Sequence, residues 1–566
     1  MGLCVPGCYE GATSAAASGT DSGASDSDGP GSASDSEDSS SETGDPPPSA
    51  ACDSDEVQVG LARMRLLTRY EYDNTVLALL GDTSSPAQSF PPENQSTAFE
   101  NNASDHQVTK DTVRRYLDVA EDLAATARTA GFQTLPEGTV PCDVATGDAA
   151  CGSAFIASFG RRAFRRPLEA DEQALFETLF TTEFTSRGFE EALAITLQAI
   201  MQSPQFLYRI EMIPEGASVG EVVAVTDYEA ASRLSYFLAA TTPDAALLDA
   251  AAAGELNTAE QLEAQARRIL ETPEARLAVR QFHRQWLGLS ALQSVTKDPA
   301  AFPGLELDTA AADWSQSVQD FTEHVVFDGG GTFDDLLQSD AVFLSPALAE
   351  FYGATPNGDG SYTMPGERAG LLTQPALMAL YAYPDRSSPI ARGVWVRQRM
   401  LCQTLPPPPD DVDIEPPSVD PSATTREQFA EHTSEPACAG CHVLIDPLGF
   451  PFEHYDAVGQ WRTDENGLAI DASGEFSGVT DEDLVGPVDD AVDMAGKLAQ
   501  SSDFRDCATE QWFTFALGRL PDEVADECSL LQASDVVAES GDIRDLLVAI
   551  VVSDAFRYRV VDGGEG

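Results

Sequence analysis

From about residue 60 to residue 560 the apolar residues recur at α-helical spacing, and β-branched alternation is rare until about residue 460. A chain patterned this way has to bury helix stripes against one another, so the expected fold class is mainly α. In "RLLTRYEYDNTVLALLGD", Leu67, Tyr70, Val76 and Leu79 fall near helical spacing, and Gly81-Asp82 closes the segment. "SAFIASFGRRAFRRPLEADEQALFETLF" reads as two helices broken at Arg166-Pro167. The acidic residues Glu169, Asp171 and Glu172 open the second, where the helix dipole favours them. Phe189, Leu193, Leu197 and Ile200 form one stripe. Further breaks are expected at Thr242-Pro243, Gly254 and Thr272-Pro273. The exception to helix is "GQWRTDENGLAIDASGEF", where Asn466-Gly467 predicts a short β-hairpin. The chain end reads as a helical hairpin plus one more helix. No tandem repeat of fixed short period is visible.

At 566 residues the chain is too long for one small core, so several packed units are expected. The formal charge is -60, from 93 acidic and 33 basic residues. Such a balance disfavours nucleic acid and anionic lipid surfaces as partners. No run of about 18 apolar residues marks a membrane span. Residues 11–50, including "DSGASDSDGPGSASDSEDSSSETGDPPPS", are Ser, Gly and Asp with almost no apolar side chains. They are expected to be a disordered spacer. Ahead of it, Val5-Pro6-Gly7-Cys8 resembles a lipobox without the basic start and apolar run that should precede one. The expectation is a translation start further upstream and a lipid on Cys8, the only membrane attachment foreseen.

There are ten cysteines. Proximity in the chain favours Cys142–Cys151 and Cys507–Cys528 disulfides and leaves Cys52 and Cys402 as the remaining pair, although sequence does not fix connectivity. Disulfides imply an oxidising compartment. Cys438, Cys441 and His442 stand in the order C-x-x-C-H. Two thiols one helical turn apart suit addition to the two vinyl groups of a haem, and the adjacent histidine suits the proximal position on iron. The alternatives are a disulfide between Cys438 and Cys441, or zinc. Zinc lacks a second C-x-x-C to complete four ligands. For a distal ligand His432 is nearest in the chain, ahead of His454, Met364, Met378 and Met400, unless the iron stays five-coordinate. Arg386 and Arg392, in "YPDRSSPIARG", suit haem propionates or ion pairs in an acidic protein. Arg161, Arg162, Arg165 and Arg166 read as structural groups at a helix C-terminus. His283 reads as a core histidine. No P-loop, G-x-G-x-x-G, G-x-S-x-G or H-E-x-x-H is present.

"LTRYEYDNTVLALLGD", "FGRRAFRRPLEADE", "QSPQFLYRIE", "ASRLSYFLAA", "GLLTQPALMALYAYPDRSSPIARGVWV", "CAGCHVLIDPLGFPFEHYDAVGQWR" and "WFTFALGRLPDE" occur in this order. Together they resemble the planctomycete and myxobacterial multi-domain secreted, cytochrome-like proteins built from domains of unknown function 1587, 1595, 1592, 1588 and 1585. The resemblance implies thioether attachment at Cys438 and Cys441 and proximal ligation by His442, followed by Asp446-Pro447-Leu448-Gly449-Phe450. The expected organisation is an acidic linker at 1–55 and helical domains at 60–130, 135–215 and 222–350. A haem-binding domain at 360–475 with a cytochrome c-like segment and a helical domain at 480–562 complete it. The expected role is electron transfer or redox chemistry outside the cytoplasm, with one covalent haem c and a protein redox partner. An oxidoreductase with an open iron site is one alternative. A non-redox scaffold held by a Cys438–Cys441 disulfide is the other.

Overall fold

The computed structural model describes residue 52 and residues 57–93, 98–406, 420–432 and 436–562; at 430–432, 436–439 and 441 only the backbone is described. The lipobox-like segment at Cys8 and the acidic tract at 11–50 lie outside these residues. Gln58–Gly566 is a single compact unit. It is mainly helical, and its strands form two-stranded antiparallel pairs.

The chain enters through β1 (Arg65–Leu66) and α1 (Arg69–Leu80). Thr68 and Glu71 form a capping box at the start of α1. Gly81, in the left-handed region at φ 68°, ends it by donating to Leu77 O. α2 (Lys110–Thr129), α3 (Ala149–Ala163), α4 (Ala170–Arg187), α5 (Phe189–Met201) and α6 (Pro204–Leu207) follow, and β2 (Tyr208–Arg209) returns to pair with β1. The break between α3 and α4 is where the sequence puts it, with Arg165 at φ 61°. The stripe Phe189, Leu193, Leu197 and Ile200 is buried in one cluster with Tyr72, Val76, Leu79, Phe155 and Phe159.

A second strand-then-helix opening of the same kind starts at β3 (Val222–Ala224) and α7 (Asp227–Ala239), capped by Thr226 with Glu229. α8 (Ala245–Ala253), α9 (Ala259–Leu270) and α10 (Pro273–Trp286) respect the expected breaks. α11 (Leu307–Glu323), α12 (Phe333–Gln338), α13 (Pro346–Tyr352), α14 (Pro375–Leu380) and α15 (Pro389–Trp395) lead to α16 (Thr425–His432) and α17 (Pro436–Gly449). The predicted hairpin pairs Asp464–Glu465 with Leu468–Ala469 around Asn466 at φ 56° and Gly467 at φ 79°. α18 (Ala491–Gln500), α19 (Ser502–Leu517), α20 (Glu527–Ser540), α21 (Ile543–Val552) and α22 (Asp554–Arg557) end at a strand, Tyr558–Val560, that pairs with β3.

Both openings are therefore closed by a returning strand, which defines two units. Ser203–Arg209 and Ser553–Arg559 share the pattern S-x-x-F-x-Y-R, and each makes one helical turn and a strand. In the first, Arg209 and Tyr208 face Arg65 and Leu66; in the second, Arg559 and Tyr558 face Val223 and Ala224. Each unit also holds one turn between successive helices with a two-pronged arginine–carboxylate pair, Arg166–Glu172 at the turn from α3 into α4 and Arg519–Asp526 at the turn from α19 into α20. The second unit is interrupted by everything between α7 and α19, so no fixed short period exists to be seen in the sequence.

Two disulfide expectations need correction. Cys142–Cys151 forms, but Cys507 is bonded to Cys402, with a Cα–Cα distance of 5.3 Å. This excludes both Cys507–Cys528 and Cys52–Cys402; Cys52 and Cys528 are each disulfide-bonded. The reason is geometric. Ser534 of α20 donates to Asp506 of α19 at 2.5 Å. Cys528 then lies nearly two turns along α20 from the level of Cys507, roughly 9 Å at 1.5 Å per residue, beyond disulfide reach.

Candidate functional site

C-x-x-C-H sits on α17, so Cys438, Cys441 and His442 share one helix. Three glycines let the neighbouring backbone close on this helix. A Cβ at Gly393 of α15 would stand 2.1 Å from Ile445 O, one at Gly449 1.9 Å from Pro389 O, and one at Gly474 2.1 Å from Pro447 O. α15 continues as a π-turn, Val396–Met400, that carries Arg397. Arg397 is buried and donates from Nε to Leu444 O (2.9 Å) on α17, and to Ser477 O and Gly478 O at the foot of the β-hairpin region. Sequence reasoning missed it, as it missed the clamp it forms, because nothing in V-R-Q-R-M sets Arg397 apart from Arg399.

The C-terminal half of α17 and the turn after it are core, with Ile445, Leu448 and Phe450 buried and Arg426 over the Phe450 ring at 4.4 Å. The face of this turn opposite the thiols and the histidine is open. A Cβ at Gly440 would meet nothing within 4 Å, and Val443 is 61% exposed. Between these two regimes, His442 Nδ1 lies 2.8 Å from Asp446 Oδ1, one turn further on, and both side chains are largely shielded from solvent. A carboxylate in that place fixes the ring orientation and the tautomer.

The remaining expected site residues are placed less uniformly. Arg386 is half-buried, with its guanidinium 5.1 Å from the Tyr383 ring. Arg392 is fully buried and donates to Phe452 O, Tyr455 O, Met378 O and Asp456 O at 2.7–3.3 Å. It ties α14 and the segment after α17 together, and an incoming carboxylate would have to compete with those carbonyls. His432 ends α16, and its side chain is outside the described residues. His454 gives Nδ1 to Arg462 O at 2.9 Å and stacks on Trp461; Met364, Met378 and Met400 are buried. Among the described residues no group of three or more His, Cys, Asp or Glu side chains converges as a metal site.

Behind this region lies a buried charged layer that the sequence did not announce. Glu453 accepts from Ser387 and Arg462, and burial raises its carboxyl despite both arginines nearby, Arg462 and Arg392. Lys297 donates to Tyr383 O at 3.1 Å, and burial pulls its ammonium down to about 7. The arginine cluster at 161–166 is structural, as expected, but through contacts to other elements: Arg162 reaches Ala78 O, and Arg165 reaches Gln205 O, Phe206 O and Tyr208 O. His283 is a core histidine, lowered to about 4 by burial, with Nδ1 on Val279 O.

Five family models match, in order along the chain. They are the proteins of unknown function DUF1587 over 65–129, DUF1595 over 151–211, DUF1592 over 225–354, DUF1588 over 368–465 and DUF1585 over 486–556. The chain belongs to the family built from these five domains. The DUF1588 segment contains α17, Asp446 and the Arg397 clamp; the DUF1587 and DUF1595 segments together make the first strand-closed unit, and DUF1585 closes the second. No curated protein and no solved structure matches the chain.

Proposed function

We propose that this member of the five-domain family is a c-type haem protein that serves electron transfer or redox chemistry outside the cytoplasm. The observation that carries the reading is the His442–Asp446 pair on the helix that also bears Cys438 and Cys441. With Nδ1 committed to the carboxylate, Nε2 is the nitrogen that would take iron. Cys438 and Cys441, one turn apart, would form the thioethers. The donor set of two thiols and an imidazole on one helix face suits a haem. A haem bound there supplies a one-electron couple. The chain's part is to hold the helix rigid, through the glycine contacts and Arg397, and to orient the histidine. Arg386 remains a candidate for a propionate, and His432 for the distal position. Six disulfide-bonded cysteines favour an oxidising compartment.

The test is expression with a cytochrome c maturation system, followed by a haem-stained denaturing gel and a pyridine haemochrome spectrum. The expected result is haem that survives denaturation and acid–acetone extraction, abolished by Cys438→Ala with Cys441→Ala and blocked by His442→Ala. Asp446→Asn should keep the covalent band and shift the potential. An absent band in the wild-type chain would return the two cysteines to the disulfide reading.

A further inference from the structure

A second site lies away from α17, where the two strand-closed units meet. A small cleft, about 30 Å3 in volume and open to solvent on one side, is lined by Arg63, Arg65, Arg209, Arg233 and Arg519 with the single carboxylate Glu211. This is an unusual place in a chain of formal charge -60. Two of the arginines, Arg65 and Arg209, are direct cross-strand partners in the β1–β2 pair. Like charges in that position repel.

The neighbouring carboxylates do not resolve the repulsion. Arg65 is 5% exposed; its Nη2 pairs with Glu71 at 3.0 Å, while its Nε and Nη1 are buried without an acceptor. Gly518 accommodates this guanidinium, since a Cβ there would lie 2.5 Å from Arg65 Nη1. Arg209 makes no ion pair among the described residues; its guanidinium sits 5.2 Å from the Tyr236 ring, and its Nε and Nη1 are also buried and unaccepted. Glu211 is already held two-pronged by Arg233, at 2.6 and 2.7 Å. Burial would raise its carboxyl, but Arg233, Arg559 and Arg65 outweigh that and keep it below the usual range. Arg519 is spent on Asp526. Arg63 is exposed at the rim. Buried guanidinium N–H groups without acceptors are costly, and native proteins satisfy such groups with a partner.

We infer that this cleft is an oxyanion-binding site, with Arg65 and Arg209 as its floor and Arg63 at its mouth, taking a phosphate or carboxylate group. A planar fork of donors on each side suits either oxyanion, and an anion between the two strands converts their repulsion into attraction. A larger ligand would enter by its anionic end and extend outward through the open side. The inference does not depend on the haem.

The experiment uses the full chain, with sodium phosphate and sodium acetate titrated separately at ionic strength fixed with sodium chloride. The readouts are the unfolding temperature and calorimetric binding. At least one of the two anions should raise the unfolding temperature saturably. Arg209→Gln and Arg63→Gln should each weaken its apparent Kd by about tenfold, the loss of one charge-assisted contact. Both variants should fold, since Arg209 gives up no ion pair and Arg63 is exposed. Response to phosphate but not acetate assigns a phosphate site, and the converse assigns a carboxylate site. Sodium chloride alone giving the same shift, no saturable response to either anion, or unchanged affinity in both variants would each overturn the proposal.

Discussion

The two strand-closed units share a capping box, a two-pronged arginine pair and the S-x-x-F-x-Y-R closure, yet they resolve the closing arginine in opposite ways. In the second, Arg559 faces Val223 across the strands and finds Glu211 at 3.5 Å and Glu229 at 3.6 Å. In the first, Arg209 faces Arg65 and finds no carboxylate among the described residues. The closing arginine is thus paired with carboxylates in one copy and, among the described residues, with none in the other. The difference locates the arginine cleft on the first. It also teaches that a repeated motif fixes backbone form without fixing what its side chains bind.

The largest effect that sharpens the comparison is at the arginine–carboxylate turns. Asp526 is fully buried, accepts from Arg519 and also holds Gly60 N and Asp522 N, whereas the Glu172 side chain is 15% exposed. Arg519→Ala leaves a buried carboxylate uncompensated and should cost about 3–5 kcal/mol. Arg166→Ala should cost about 1 kcal/mol, because water can reach its partner. Urea unfolding of the two variants measures both. Equal losses would mean that the two turns are equivalent, and the asymmetry would be lost.

The next effect separates the cores. The second unit packs Trp512 against Phe282 and His283, and His283 Nε2 is buried without a partner. Burial lowers this imidazole to about 4. A histidine neutral in the fold and protonated in the unfolded chain contributes fully above its ordinary value near 6.5. That contribution is lost as pH falls from there to about 4, on the order of 3 kcal/mol in all. His283→Phe should flatten the stability curve over this window. If wild type and variant fall in parallel between pH 6.5 and 4, His283 does not carry the acid step.

Much of this fold was legible because its signals are local. The stripe at 189–200, the break before Pro167, the αL stop at Gly81 and the Asn466-Gly467 turn each depend on a few adjacent residues, and all four form where those residues place them. What depends on residues far apart in the chain was not legible. Cys402 finds Cys507 across 105 residues because α19 packs against the end of the π-turn, and nearness in sequence pointed the wrong way. The S-x-x-F-x-Y-R repeat is present in the sequence, but its copies are separated by the whole interrupted unit. At α17 the motif named the thiols and the histidine. Asp446 as the partner of His442 required only the i,i+4 rule. The Arg397 clamp and the commitment of Arg392 to four carbonyls required the tertiary structure.

The smallest effect opposes two carboxylates in pH. Glu172 is held below its ordinary value, first by the hydrogen bond from Arg166. Its contribution is therefore complete above the ordinary carboxylate value and is lost as pH falls through the depressed one. Glu229 is raised, chiefly by burial, against the pull of its hydrogen bonds with Thr226 and Met212. The folded state then binds the extra proton, so its contribution is complete below the ordinary value and is lost as pH rises through the raised one. Glutamine imitates the protonated form at either place. Glu172→Gln should approach wild-type stability only in acid and fall behind as pH rises, since the wild-type ion pair forms there. Glu229→Gln should do the reverse and gain on wild type from acid to neutral, by about 1 kcal/mol for each pH unit that separates the raised value from the ordinary one. Unfolding temperatures from pH 3 to 7 for the three proteins decide the point. Difference curves of the same slope for both variants would show that the two units meet acid in the same way, and that their contrast is confined to the arginine cleft.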